Sequence, residues 1–129
     1  MSLDVPTALL ERAETGDVDD AAFVDVVRHS LPYAWQVVTG VVGRLEEGVT
    51  EYADDSTPPT DEERGQLMRA FASDAIRGGL ERHFGVRLAF QNCHKVAAFR
   101  RSAVGEAAYT VFVSPRSQLL NQSPQLRHC

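Results

Sequence analysis

Lysine is almost missing from this chain: twelve of its thirteen basic residues are arginine, and Lys95 is the exception. Cysteine is scarce as well. Cys93 and Cys129 are too few for a disulfide framework. No apolar run approaches the ~20 residues a membrane span needs, and the N-terminus lacks the basic-then-apolar pattern of a secretory leader. The expected location is therefore the cytoplasm, with no membrane partner. Neither a phosphate-cradling glycine loop nor a dinucleotide fingerprint occurs. The acidic residues Asp54, Asp55, Asp61, Glu62 and Glu63 do not follow the EF-hand spacing. These absences leave no cofactor, no metal and no catalytic residue to expect, and they point away from an enzyme.

What is present is an ordinary globular composition, 43% hydrophobic and 24% charged over 129 residues. That length suffices for one core without metal or disulfide support, so residues 1–129 read as a single domain. The charge is unevenly spread. Residues 1–63 hold fifteen acids and three bases, a charge of −12, whereas residues 64–129 hold three acids and ten bases, a charge of +7. Such a split points to a charged partner or to nucleic acid, unless the two halves neutralise each other within the fold.

The best-marked element begins at Thr60. Pro58 and Pro59 stop any helix before it, and Thr60 with Glu63 forms a capping-box pattern. Asp61, Glu62 and Glu63 load the first turn with the charge that the helix dipole favours there. Leu67, Met68, Phe71, Ala72, Ala75, Ile76 and Leu80 then recur at helical spacing, which predicts one helix from Thr60 to Phe84, ended by Gly85. Gly78 and Gly79 weaken it and suggest close packing there.

Beyond Gly85 the period becomes two. Val86, Leu88 and Phe90 predict a strand, Gln91-Asn92 a turn, and Lys95–Arg100 a second strand. Ala107–Val113, with Tyr109, Val111 and Val113 on one face, reads as a third strand. Upstream, Asp4 and Asp19 are expected to cap two helices, the second with Val18 and Phe23 as a staple. Pro32 interrupts the second of these and predicts a new helix from Leu31 to about Glu47, with Ser30 as a candidate cap. Gly40 and Gly43 in that helix suggest close approach of a neighbour. The acidic stretch from Gly48 to Pro59 reads as a solvated connection. Ser114-Pro115 opens a short terminal helix carrying Leu119 and Leu120 and ended by Pro124.

This layout places the candidate sites. Arg77, Arg82, Arg87, Lys95, Arg100 and Arg101 could present a positive edge to phosphates. A helix followed by a basic hairpin also suits a winged-helix-like reader of duplex DNA. Gln91, Asn92 and Cys93 are the lining to expect of a small-molecule pocket. Cys93, His94, His128 and Cys129 offer two thiols and two imidazoles. Neighbouring strand residues point to opposite faces, however, and structural zinc pairs leave two or more residues between ligands, so no zinc site is expected.

Several stretches carry a likeness. Leu9–Glu14, Ser30–Trp35, Phe84–His94 and Ser114–Pro124 together resemble a family of small streptomycete proteins of unknown function. The resemblance implies an actinobacterial source and assigns no catalytic residue.

The expectation is thus an α+β domain, with N-terminal helices packed on a two- or three-stranded antiparallel sheet and a short C-terminal helix. Its leading function is that of a cytoplasmic regulatory or protein-interaction module, a homodimer or the partner of another protein. DNA binding through the basic helix and hairpin is the alternative, and a pocket near Gln91–Cys93 is a third.

Overall fold

In the computed structural model, residues 2–48, 52–55 and 59–120 are described. Three helices come first: α1 (Thr7–Glu14), α2 (Asp20–Ser30) and α3 (Pro32–Glu46). Strand β1 (Tyr52–Asp55) precedes the helix pair α4 (Asp61–Phe71) and α5 (Asp74–Phe84). The hairpin β2 (Val86–Gln91) and β3 (Lys95–Arg100) comes next, then a 3-10 turn (Arg101–Ala103), α6 (Ala107–Phe112) and α7 (Pro115–Leu120). The fold class is α+β, as the sequence predicts.

The sheet is antiparallel in the order β1-β3-β2. Residue alternation divides its two faces between two cores. Val86, Leu88, Val96 and Ala98 face the helices and join Leu31, Val38, Val41, Leu67, Ile76 and Leu80 in the main cluster. Ala89, Ala97 and Phe99 face the other way and meet Phe112 of α6. A period of two sends adjacent residues to opposite faces. Strand β3 is therefore buried on both sides, while β2 forms an edge of the sheet.

Several local expectations are met. Asp19 caps α2, its Oδ1 accepting from Ala22 N–H at 2.7 Å. Thr60 and Glu63 exchange both bonds of the capping box, at 2.9 and 3.2 Å. Pro32 occupies the first turn of α3. Gly85 ends α5 at φ +68°, a left-handed geometry that glycine adopts without Cβ strain. Ser114 Oγ accepts from Ser117 N–H at 3.1 Å at the start of α7, although Leu119 and Leu120 there are exposed. The expected stop at Pro124 lies outside the described residues.

Other expectations are corrected. Ala107–Val113 is mostly helix, because Tyr109 and Phe112, three residues apart, both rest on the ring of Phe99. That is helical spacing, and burial of this face overrides the β propensity of valine and threonine. The long helix divides at Ala72-Ser73. Ser73 Oγ accepts from Ile76 N–H at 3.2 Å and starts α5, while Arg77 Nη1 donates to the carbonyl of Phe71 at 2.7 Å. The hairpin turn is Asn92-Cys93-His94, with φ of 56° at Asn92 and 53° at Cys93, and starts one residue later than expected.

The stretch read as a solvated connection contains β1, paired with β3 from Tyr52↔Phe99 to Asp55↔Val96. Asp4 caps nothing; its N–H donates to Ser30 Oγ at 2.8 Å. Ser30 in turn does not cap α3. The start of α3 is held from a distance by Gln66 Oε1, which accepts from Tyr33 and Ala34 N–H at 2.7 and 3.3 Å. Among the described residues, a Cβ on Gly40 or Gly43 would meet nothing within 4 Å, so neither marks a close approach there. Gly79 does, since a Cβ there would lie 3.1 Å from the ring of Phe23 on α2.

Candidate nucleic-acid groove

Edge strand β2 borders a cavity of about 540 Å³. One wall is the α4–α5 junction, with Met68, Phe71, Ala72 and Arg77; the other is formed by Tyr109, Val113 and Gln118. The strand itself contributes Arg87 through Gln91, and the hairpin turn adds Asn92 and Cys93. Phe71 and Phe90 stack with ring centroids 5.1 Å apart, giving the cavity an aromatic side.

Two smaller recesses adjoin it. Arg87 also lines a recess of about 310 Å³ with Gly78, Glu81, Arg82, Val86, Arg101 and Val104. Met68 and Ala72 also line one of about 440 Å³ with Gly65, Arg69 and Ser73. Sharing these residues, the three form a groove that carries Arg69, Arg77, Arg87, Arg82 and Arg101, and among the described residues Glu81 is the single carboxylate in its lining.

Glu81 organises the middle of this groove. Its Oε2 accepts from Leu88 N–H at 2.8 Å and lies 3.5 Å from Arg87 Nε. The Arg87 pKa is raised above its ordinary value, first by the neighbouring Tyr109 hydroxyl and then by the Glu81 charge. Arg101 Nη2 donates to the backbone carbonyl of Glu81 at 3.2 Å. Because Leu88 N–H turns outward to Glu81, strand alternation directs the N–H and C=O of Phe90 along the same open edge. An unpaired strand edge is a row of donors and acceptors available to a ligand.

The expected phosphate contacts are therefore divided. Arg77, Arg82, Arg87 and Arg101 meet along the groove, whereas Lys95 and Arg100, at the two ends of β3, are absent from its lining. Arg77 Nη2 donates to Asp74 Oδ1 at 2.6 Å, and Arg82 is paired with Asp20 at 2.7 Å. Each still has guanidinium donors to spare. Arg69, Tyr109 and the Phe71–Phe90 pair are not among the residues that the sequence singles out as a site. The helical pattern places Phe71 in a core, and it signals nothing about the break at Ser73 that turns Arg77 toward β2.

The expected pocket residues Gln91, Asn92 and Cys93 do line the cavity, and all three are buried. Cys93 has no free thiol. Among the described residues no cluster of three metal-ligating side chains forms; His128 and Cys129 lie outside them. Helix α5 packs against α2 through Gly79 and Phe23. The hairpin closes through Asn92, Cys93 and His94, between the paired Gln91 and Lys95. No helix among the described residues is long and apolar enough to cross a membrane.

A family model described as NucS shadow ORF matches residues 1–129. The chain belongs to that family. The match spans the N-terminal helices as well as the groove. No curated protein and no solved structure matches the chain.

Proposed function

We propose that the protein binds single-stranded nucleic acid along the β2 edge. The observation that carries this reading is the lining itself: five arginines to one carboxylate, interleaved with Phe71, Phe90 and Tyr109. Single-strand binders combine a positive track for the backbone with aromatic faces on which bases stack. A groove walled by a helix junction on one side and α6 on the other suits splayed bases. The family designation carries the prefix KH, and the order strand–helix–helix–strand–strand–helix from β1 to α6 fits such a module. KH modules clamp a single-stranded backbone with a GXXG loop. The α4–α5 turn here reads Phe71-Ala72-Ser73-Asp74, so arginine side chains take over the backbone contacts.

Fluorescence anisotropy with a labelled ten-nucleotide single strand at 50 mM salt tests the reading. Arg77→Ala combined with Arg87→Ala is expected to weaken binding about tenfold or more and to flatten the salt dependence by ~0.7 for each phosphate no longer neutralised. Tighter binding to duplex than to single strand, or no binding at this salt, would overturn it.

A second reading, a protein-interaction module that pairs with itself or with another protein, is favoured by a different observation. Val111, Val113, Leu119 and Leu120 on and beside α6 and α7 are 49–73% exposed, and apolar exposure of this kind marks interaction surfaces. Light scattering showing a monomer at every concentration would remove the self-association form of it.

A further inference from the structure

We infer that the inner end of the cavity reads a nucleobase bearing an exocyclic amine, with Gln91 Oε1 as the acceptor. This rests on the single-strand reading above and adds a base preference to it. Gln91 is 5% exposed, and its Nε2 donates to the carbonyl of Phe112 at 2.7 Å. Its Oε1 is buried and meets no donor among the described residues. The opposite amide orientation would set that oxygen against the Phe112 carbonyl, so hydrogen bonding fixes which atom is left unpaired. Buried polar atoms are nearly always partnered, and an exception asks for a physical reason.

The surroundings suit a base. Gln118 Nε2 donates to Asn92 Oδ1 at 2.9 Å, which brings further amide groups to the same end of the cavity. The Phe71–Phe90 stack supplies an apolar wall, and Arg77 and Arg87 supply charge for the adjoining phosphates. Gln91 itself contributes to the cavity lining. Adenine and cytosine present amine hydrogens to such an acceptor. Thymine and uracil place a carbonyl oxygen in the corresponding position, leaving two acceptors face to face.

The decisive comparison is between two pyrimidines, because their stacking is similar. Labelled dC8 and dT8 are titrated at one salt concentration and pH 7.5 against the wild-type protein and Gln91→Met. The wild type is expected to bind dC8 about fivefold or more tightly than dT8. Gln91→Met is expected to bring that ratio below about twofold. Equal affinity of the wild type for both oligomers overturns the amine preference and leaves single-strand binding intact; failure to bind either overturns both. A preference that survives in folded Gln91→Met also overturns the assignment. Should that variant not fold, the side-chain amide resonances of Gln91 in the wild type decide: no shift on saturation with dC8 overturns it.

Discussion

Glu81 has a short aliphatic stem and one charge, and it lies almost wholly beneath the groove surface. The charge is tolerated because Leu88 N–H and the Arg87 guanidinium both face it. Glu81→Ala strands a strand-edge N–H and removes Arg87's carboxylate partner. We expect a loss of about 1–3 kcal/mol in urea unfolding, the cost of an unmade buried bond. The exposed pair Asp20–Arg82 behaves differently. Its hydrogen bond to Arg82 lowers the Asp20 pKa below the ordinary 3.8. Its contribution is thus complete above pH 3.8 and is lost as the pH falls through the lower folded value. Thermal melts between pH 5 and pH 2 should show a slightly shallower acid loss in Asp20→Asn, and 0.5 M salt should erase the difference.

Among the elements, α4 and α5 carry the strongest local signals. Thr60→Ala removes the side-chain half of a complete capping box and should cost about 1 kcal/mol, read as a lower urea midpoint at unchanged slope. The two glycines of α5 separate propensity from packing. A Cβ on Gly78 meets only the flexible end of Arg82, at 3.4 Å, whereas one on Gly79 presses on Phe23 at 3.1 Å. Gly78→Ala should stabilise by up to ~1 kcal/mol. Gly79→Ala should gain less or lose, because the ring has to move within a packed contact between α2 and α5. A larger gain at Gly79 in thermal melts would show that this contact is loose. Helix α6 departs from the expected strand for a reason of scale. Six residues are too few for periodicity to separate helix from strand, and valine and threonine then favour the wrong answer.

For the whole molecule, four ion pairs show how the two charged halves meet. Arg64–Asp61, Arg77–Asp74 and Arg87–Glu81 are local, and Arg82–Asp20 is a pair that ties the basic half to the acidic helices. Asp20 of α2 neutralises one groove arginine, Arg82, while Glu11, Glu14 and Asp17 are exposed. Association with a single strand should therefore weaken steeply between 50 and 200 mM salt, and Arg69→Ala, Arg82→Ala and Arg101→Ala should each reduce the slope without abolishing binding. Slopes identical to the wild type in all three would confine the contact to the central cavity.

Caps, breaks and charge are legible in the chain by itself. Thr60 with Glu63, Asp19, Pro32 and Gly85 each act within a few residues of where they stand, through bonds and torsions that need no distant partner. The alternation in β2 and β3 is legible too, because the period of a strand is a property of its own backbone. Only the folded molecule decided the rest. The pairing of β1 with β3, the capping of α3 by Gln66 and the gathering of Arg77, Arg87 and Tyr109 beside Gln91 all join residues far apart in sequence. Tertiary burial made those choices: helix α6 forms because the ring of Phe99 needs covering, and β2 is left as an edge because β1 takes the other side of β3.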